Sequence, residues 1–327
     1  MVATLREVAA QAEVSVATAS RAFQRPQMVG AATRGRILKA ADDLGYSPNT
    51  VARALVTGRR GVLGVVVPDL LNPFYPAVLK GAQARAREHG VQLLLADAEE
   101  APAGELPLVS TLAPQVDGIV LCSSRMEEES LRQAAALTRL ALVNRTHEGL
   151  PGILADPGPG VRAAVHHLVQ LGHRRIGYAG GPSASRSDAD RRRTLRTECA
   201  RAGAELVDVG HFAPGPEGGR QAAGALQGLE VTAVLVYNDV MALGMIDQLT
   251  STGLRIPGDL SVIGWDDIEY AGMLRPGLST VRVPRAEIGA AAIDVLLEAG
   301  SATEADIAHR FLPTELVLRG STARAES

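Results

Sequence analysis

The amino-terminal part of the chain follows a helical pattern of hydrophobic positions. An apolar stripe over residues 5–12 has the spacing of one helix face and predicts a two-turn helix. Thr4 stands before this stripe and Glu7 follows three residues later, which is typical of a capping box. Ser15 is placed to cap a second short helix, and a third helix is predicted over residues 32–44. Together these elements predict a small all-α helix-turn-helix domain.

From residue 61 onward the pattern changes to short β-rich runs separated by helical segments. The runs include VLGVVVPD, VQLLLAD and DGIVLCSS, and the alternation restarts after residue 156 with RIGYAGG and ELVDVG. Strands that alternate with helices form parallel sheets. Two such series predict an α/β core of two lobes with doubly wound parallel sheets, in which ligands bind at the carboxyl ends of the strands.

These patterns divide the 327 residues into a helical head, a connecting segment and a two-lobed core. The predicted parts are a helix-turn-helix domain over residues 1–46, a short helix and linker over 47–60, and a two-lobed core over 61–327. The predicted lobes are roughly residues 61–156 plus 285–309, and residues 157–284 plus 310–320.

The second predicted helix, in the stretch VSVATASRAF, has small uncharged residues on its outer face. An ordinary amphipathic helix with a small surface is one interpretation. A recognition helix is the other, because such a helix enters the DNA major groove and reads base edges with a few side chains. On that interpretation Val16 and Ala17 contact thymine methyl groups, Arg21 hydrogen-bonds guanine, and Thr18 and Ser20 hold phosphates.

The charge of the chain is unevenly distributed. Residues 1–60 contain nine Arg and Lys against four Asp and Glu, a net charge of +5, which leaves −8 for the remainder of a chain whose total is −3. A basic head on an acidic core indicates a polyanionic partner for the head alone. The alternative is that the basic residues of the head form an ordinary solvent-exposed surface without a polyanionic partner.

The composition excludes several classes of protein. The two cysteines, Cys122 and Cys199, cannot form a disulfide framework or a Cys-x-x-Cys metal site. No apolar run approaches the length of a membrane span and the amino terminus does not resemble a signal peptide. We therefore expect a cytoplasmic protein without a membrane segment, a metal or a cofactor.

Hydrogen-bonding residues follow several of the predicted core strands. Asp69 follows the first strand, and Asn144, Asn238 and Asp266 follow later ones. Such groups accept hydrogen bonds from vicinal hydroxyls, which would suit a sugar. The alternative is that Asp and Asn at strand ends cap the next helix. We favour this capping interpretation for three residues: Asp156, Asp239 and Asp267.

Motifs for nucleotide binding and for catalysis are absent from the sequence. No GxGxxG follows a predicted strand, and GxxxxGK[ST], GxSxG and HExxH do not occur. The sequence therefore does not indicate an enzyme.

Six segments resemble the lac repressor-like (LacI/GalR) family of bacterial transcriptional regulators, and the resemblance runs the length of the chain. TLREVAAQAEVSVATASRAF and TRGRILKAADDLGYSPNTVARAL are similar to its head and hinge. NPFYPAVLKGAQ, LGHRRIGYAGGP, VYNDVMALGMIDQL and GLRIPGDLSVIGWDDIEYA are similar to its effector-binding core, which is akin to periplasmic sugar-binding proteins. The resemblance implies a repressor that binds a palindromic operator as a homodimer. It also implies a small-molecule effector, a sugar or a derivative, between the lobes.

The resemblance also implies which residues bind each partner. The residues matched to DNA contacts are Leu5, Ser15, Val16, Ala17, Thr18, Ser20, Arg21, Thr33, Tyr46, Asn49, Ala52 and Leu55, the last two in the minor groove. The residues matched to the effector site are Asp69, Phe74, Asn144, Arg191, Phe212, Asn238 and Asp266.

The chain departs from the family pattern at several of these places. Glu13 stands in the turn where Gly is usual, and Gly30 replaces the usual cap of the third helix. Asn144 stands where Asp is usual. Arg191 is placed by the spacing R-x-x-G-[FY], although Thr194 and Leu195 replace the Gly and the aromatic residue.

Two other classes of protein share the two-lobe fold. A solute-binding protein of the transport type would carry a signal peptide and would have no basic head. A sugar-acting enzyme would need two carboxylates about 5–9 Å apart for acid and base chemistry, and it would convert its sugar. The hinge helix is too short to be stable alone and no heptad tail follows the core, so a dimer is expected.

Overall fold

The computed structural model describes residues 3–24, 26–46, 60–298 and 309–325. The chain forms two compact units, Met1–Gly61 and Val62–Ser327. Three residues matched to DNA contacts lie outside the described residues: Asn49, Ala52 and Leu55. Within the described ranges, no helix combines the length and the apolar character needed to cross a membrane.

The head consists of three helices around a small apolar core. They are α1 (Leu5–Gln11), α2 (Val16–Gln24) and α3 (Ala31–Asp43). The predicted capping box is confirmed, because Thr4 N donates to Glu7 Oε2 (2.7 Å) and Glu7 N donates to Thr4 Oγ1 (3.4 Å). Val8, Ala19 and Ile37 are fully buried between the helices. These contacts join the predicted helix-turn-helix into one packed unit.

The turn between α1 and α2 requires a left-handed backbone. Glu13 has φ +53°, a conformation that costs an ordinary residue roughly 1–2 kcal/mol and glycine far less. Glycine therefore suits this position, and the glutamate that replaces it strains the backbone of the turn. Gly45, with φ +62°, ends α3 as predicted, while Gly30 precedes α3 without a side-chain cap.

The first lobe of the core contains an all-parallel sheet in the order β11-β5-β4-β3-β1-β2. Its strands are β1 (Val62–Val67), β2 (Gln92–Asp97), β3 (Ile119–Cys122), β4 (Leu140–Val143), β5 (Gly152–Asp156) and β11 (His309–Pro313). Its helices are α4 (Phe74–Glu88), α5 (Pro102–Leu112), α6 (Glu128–Leu137) and α11 (Arg285–Glu298). The central strands are buried on both faces, as expected for a parallel sheet between helices.

The second lobe repeats this arrangement in the order β12-β10-β9-β8-β6-β7, with β12 antiparallel. Its strands are β6 (Arg175–Gly180), β7 (Glu205–His211), β8 (Ala233–Val236), β9 (Ser261–Asp266), β10 (Ser279–Arg282) and β12 (Glu315–Val317). Its helices are α7 (Pro157–Gln170), α8 (Arg186–Arg201), α9 (Pro216–Ala225) and α10 (Asp239–Ser251). The predicted two-lobed, doubly wound α/β core is therefore confirmed.

The last crossing between the lobes lies later in the chain than predicted. Residues 310–313 were expected in the second lobe, but β11 pairs in parallel with β5 of the first sheet. The chain crosses at Thr314, which is buried. Its Oγ1 donates to the carbonyl of Asp156 (2.7 Å) and accepts from Gly160 N (3.2 Å). The lobe boundary at residue 310 is therefore wrong, because strand pairing continues to Pro313.

Each lobe contains one helix pair whose backbones touch at glycines. A Cβ on Gly81 of α4 would lie 1.9 Å from the carbonyl oxygen of Ala286, beside α11. In the second lobe, a Cβ on Gly244 of α10 would lie 2.1 Å from the carbonyl oxygen of Pro216 in α9. A backbone oxygen cannot move aside as a flexible side chain can, so these glycines set the distance between the helices.

We expect Gly244→Ala to destabilise the core by several kcal/mol, because the helices must separate to admit the methyl group. Gly224→Ala is the matched control. Gly224 lies in α9, and a Cβ at this position would have no heavy atom within 4 Å, so alanine should be neutral or stabilise by up to about 1 kcal/mol. Urea unfolding of both variants tests this, and equal midpoints would contradict the contact.

Candidate functional site

The outer face of α2 presents the residues predicted to read DNA. Val16, Ala17 and Arg21 are exposed, with Val16 at 43%, whereas Ala19 and Ala22 on the opposite face are buried. The arrangement offers methyl groups and one guanidinium to a partner.

Several other residues predicted to contact DNA also stabilise the structure of the head. Ser15 Oγ accepts from Thr18 N (3.1 Å) and lies 2.9 Å from Thr18 Oγ1, which makes Ser15 the predicted cap of α2. Tyr46 is partly buried, with its ring 5.7 Å from that of Phe23. Leu5, Ser20 and Thr33 are also partly buried.

A buried carboxylate lies at the carboxyl end of β9. Asp266 is 5% exposed, and its side chain has neither a hydrogen bond nor an ion pair among the residues that the structure describes. Burial raises its pKa well above the ordinary value, while the positive charges of Arg191 and Arg285 oppose this rise. A buried carboxyl group without a partner is costly for stability, which favours a binding role.

The structure distinguishes three neighbouring arginines of α8. Arg191 lies on the buried face, with its guanidinium carbon 4.2 Å from the ring centre of Trp265 and 4.8 Å from that of Tyr237. Arg192 instead pairs with acidic residues of its own lobe, and Arg193 is 73% exposed beside Asp190. Of these three arginines, only Arg191 therefore lies beside Asp266, where its positive charge opposes the rise in the pKa of Asp266.

Several residues of this region were not predicted from the sequence. Trp265 and Tyr237 stack on Arg191, and Tyr75 of the first lobe lies close enough to Tyr237 for their charges to interact. Arg285 donates through Nη2 to the carbonyl of Asp267 (2.8 Å). The available signal was that Trp265 is the only tryptophan of the chain and directly precedes a predicted site residue.

The two lobes approach each other beside this region. Glu128 of α6 in the first lobe pairs with Arg186 of α8 in the second (3.3 Å). The same carboxylate pairs with Arg145 (3.2 Å) and contacts His147 Nε2 (3.1 Å). The residues around Asp266 thus lie in a cleft between the strand ends of the two lobes, hereafter the inter-lobe cleft.

The capping interpretation holds for only one of the three aspartates. Asp156 accepts from Gly158 N (2.9 Å) and caps α7. Asp239 instead accepts from Thr280 Oγ1 (2.6 Å) and from Ile268 N (2.9 Å), and burial raises its pKa to about 7. The interpretation is wrong there because the carboxylate points to the neighbouring strand ends.

Asp267 is not a helix cap either. Its carboxylate accepts from Arg282 Nε (2.7 Å) and from Arg319 Nη2 (2.6 Å). It forms ion pairs that join neighbouring strand ends, and its carboxylate accepts from these two arginines instead of from a helix amide.

The remaining predicted effector residues are held by their own lobes. Asn238 caps α10 through Met241 N (2.8 Å) and donates to the carbonyl of Pro214 (2.8 Å), so both ends of its amide are engaged. Asn144 accepts weakly from the backbone (3.4 Å) and Asp69 closes a turn. Phe74 is buried and Phe212 is partly buried.

A surface pocket of about 220 Å³ lies elsewhere, between α9 and α10. It is lined by apolar residues such as Leu226, Leu249 and Leu260, and it adjoins the amino ends of β8 and β9. Ligands of open α/β sheets bind at the opposite, carboxyl ends. The inter-lobe cleft, which also holds the buried charged groups, is therefore the better candidate site.

Comparison with protein families divides the chain in the same way as its fold. A family model described as bacterial regulatory proteins, lacI family, matches residues 4–49. A model described as a periplasmic binding protein-like domain matches residues 165–322.

Individual relatives match nearly the whole chain. The HTH-type transcriptional repressor CytR of Escherichia coli (strain K12) is 33% identical, over 98% of this chain and 96% of its own. The HTH-type transcriptional regulator MalR of Streptomyces coelicolor is 35% identical, over 99% and 98%. The lac repressor dimer bound to operator and the anti-inducer ONPF is a structural match with a TM-score of 0.84 and 27% identity, covering 99% of this chain and 100% of that one. A complex of the regulator CelR with cellobiose gives 0.73 and 28%, covering 98% and 99%.

We expect Asp266→Asn to raise the melting temperature of the effector-free protein. The raised pKa means that the protonated carboxyl stabilises the fold at low pH, and that this stability is lost as pH rises above the ordinary value of 3.8. The asparagine variant does not lose stability in this way. The difference in melting temperature between the variant and the unmodified chain should therefore grow with pH, to about 2 °C or more near neutral pH. Thermal unfolding at several pH values measures it, with the exposed Glu269→Gln as control. A lower melting temperature at every pH would contradict the prediction.

Proposed function

Since this chain belongs to the lacI family of bacterial regulatory proteins, and is therefore a DNA-binding regulator of transcription and not an enzyme, we propose that it is an effector-controlled repressor. It binds a palindromic operator as a homodimer, and a small molecule bound in the inter-lobe cleft controls that binding. The observation that carries the effector site is the buried carboxylate of Asp266 beside Arg191, which has no hydrogen-bond partner among the residues that the structure describes. The protein acts in the cytoplasm, where its DNA target lies.

The head supplies the DNA contacts in this proposal. Val16 and Ala17 of α2 touch bases in the major groove, and Arg21 hydrogen-bonds guanine. The small exposed residues Val16 and Ala17 support this role, because they allow the helix backbone to approach the floor of the groove closely while Arg21 reaches a base edge. The lac repressor structure, which covers 99% of this chain, is itself an operator complex.

The effector in this proposal is a sugar or a sugar derivative. The chain has only ten aromatic residues, and four of them meet at the inter-lobe cleft: Phe74, Tyr75, Tyr237 and Trp265. Aromatic faces stack on the apolar faces of sugar rings, while Asp266 accepts from hydroxyl groups. Relatives in complex with cellobiose support a carbohydrate.

Effector binding changes DNA affinity because the two lobes contribute different sides of the cleft. A molecule held by residues of both lobes binds one arrangement of the lobes more tightly than another, and thereby shifts the population towards it. The segment predicted as the hinge, residues 47–60, connects the core to the head along the chain. The effector and the operator are thus coupled through their different affinities for two states.

The alternative classes explain less of the molecule. A transport-type solute-binding protein has no use for a basic helical head, and family membership excludes an enzyme. The proposed repressor uses both units of the chain.

A dimer suits the exposed apolar residues of the core. β2 is an edge strand of the first sheet, and Leu94 and Leu95 are both exposed on it. Leu71, 89% exposed, lies in the same lobe, and Met273 is 68% exposed in the second. An apolar edge strand invites pairing with another chain, and the lac repressor structure is a dimer.

We expect variants of the two sites to separate effector response from DNA recognition. Arg191→Ala should retain operator binding and lose the response to effector, because a lost charged hydrogen bond of about 1.5–3 kcal/mol weakens effector binding at least ~10-fold. Arg21→Ala should retain effector binding but keep only weak, salt-sensitive DNA binding. Gel-shift and thermal-shift assays on both variants measure this. Arg193→Ala, which removes an exposed neighbour, is the control, and a normal effector response of Arg191→Ala would refute the assignment.

We expect Leu95→Glu to convert the dimer to a monomer at micromolar concentration, because it places a charge in an apolar interface. Light scattering gives the mass directly. Leu137→Glu is the matched control, since Leu137 is 50% exposed on α6, away from the edge strand. An unchanged dimer mass in the Leu95 variant would exclude β2 from the interface.

A further inference from the structure

Two buried donors at the inter-lobe cleft, Arg285 Nη1 and Trp265 Nε1, have no hydrogen-bond acceptor within the described part of the chain. Resting on the proposed function above, we propose that the effector bears an anionic oxygen group, a carboxylate or a phosphate, and that Arg285 binds this group. Arg285 thereby selects acidic or phosphorylated sugars over their neutral parents.

The charge balance around Asp266 supports an anionic effector. Asp266 faces two cations, Arg191 and Arg285, yet bonds to neither. The next carboxylate, Asp267, is engaged by Arg282 and does not neutralise them. A second buried carboxyl group, Asp239, also lies near Asp266, but its oxygens accept from Thr280 Oγ1 and Ile268 N, and burial raises its pKa to about 7. Burial also raises the pKa of Asp266. The negative charge of these two carboxyl groups therefore opposes the two guanidinium groups only in part.

The other side of the cleft does not restore the balance. Asn144, at the end of β4, is neutral, and its amide oxygen accepts from the backbone of Ala155 (3.4 Å). Arg125 and Glu100 of the first lobe form an ion pair with each other. Asp69, the predicted effector residue at the end of β1, closes a turn through Leu71 N (2.8 Å) and forms no ion pair with Arg285 among the described residues.

The position of Arg285 is unfavourable for an arginine with only a structural role. It is the first residue of α11, where the partial positive charge of the helix N-terminus disfavours a cation. Its Nη2 donates to the carbonyl of Asp267 (2.8 Å), but its Nη1 is shielded from solvent and has no hydrogen-bond partner within the described part of the chain. An unsatisfied buried donor of this kind costs free energy until an acceptor reaches it.

A second donor near Asp266 is in the same condition. Trp265 Nε1 is buried and has no acceptor among the described residues. Trp265 stacks on Arg191, and both Arg191 and Arg285 lie near Asp266. A sugar that carries an anionic group offers oxygen acceptors to both donors and a hydroxyl to Asp266.

Arg285 also joins the two lobes. It begins α11 of the first lobe, three residues after β10 of the second, and its side chain returns to the second lobe at Asp267. An anion bound to Arg285 therefore contacts the segment that crosses between the lobes. The anionic group of the effector is thus bound next to the crossing between the two lobes.

The test compares matched compounds by thermal shift on the full chain. The carboxylate arm is D-gluconate and D-galacturonate, the phosphate arm is D-glucose 6-phosphate and D-ribose 5-phosphate, and the neutral arm is D-glucose, D-galactose and D-ribose. We expect an anionic compound to raise the melting temperature more than its neutral parent at equal concentration, and to do so less at high salt. The arm that responds identifies the anionic group.

The variant Arg285→Gln should bind the responding anionic compound at least ~10-fold more weakly, as expected for a lost charge-assisted hydrogen bond. Its affinity for neutral sugars should not fall. Arg310→Gln is the matched control, because Arg310 is a half-exposed arginine of the first lobe that pairs with Glu298. Its affinity for the anionic compound should be that of the unmodified chain.

Two results would overturn the inference. If no anionic compound stabilises the chain more than its neutral parent, the charge argument fails, and a neutral sugar that stabilises it leaves the proposed repressor intact. If the anionic compound binds Arg285→Gln as tightly as the unmodified chain, Arg285 does not select it. Failure of the proposed function is distinct, because stabilising compounds would then leave operator binding unchanged in the gel-shift assay.

Discussion

A strained turn after β9 holds the carboxylate on which the inter-lobe cleft depends. Asp266 and Asp267 both have positive φ, +111° and +55°, and such backbones persist only where the surroundings over-determine them. Here Asp239 accepts a hydrogen bond from the amide of Ile268, the residue after Asp267. Arg282 and Arg319 donate to the carboxylate of Asp267. These contacts hold the turn in place, and Asp266 stays buried with no hydrogen-bond partner in the described part of the chain.

The same contacts tie the cleft to the places where the chain crosses between the lobes. Arg282 ends β10 just before the crossing to α11, and Arg319 follows β12 after the crossing back at Thr314. The bonded network around Asp267, the residue next to Asp266, therefore lies beside both places where the chain crosses between the lobes. A shared network of this kind is a physical basis for coupling a bound effector to a change of state.

The glycine contacts show how the lobes remain stable while the cleft carries unsatisfied groups. Gly81 and Gly244 allow helix backbones to touch within each lobe, so each lobe has a dense core that does not rely on the cleft. Binding sites commonly store such local cost on a rigid scaffold.

The sequence by itself determined the elements and much of the site. The capping box at Thr4, the alternation of strands and helices, and the polar residues at strand ends follow from local spacing, because periodicity depends only on near neighbours. The family spacing R-x-x-G-[FY] placed the effector arginine at Arg191, and the structure buries this residue together with Leu195. Resemblance to the family added the assignment of these positions to DNA and effector.

Only the tertiary structure decided which side chains meet and which are left without partners. The stacking of Arg191 between Tyr237 and Trp265, the ties of Asp239 to another strand end, and the orphan nitrogen of Arg285 join segments far apart in sequence. The late lobe crossing at Thr314 likewise follows from strand pairing. Such contacts are set by how packed lobes bring distant residues together, and local spacing carries no information about them.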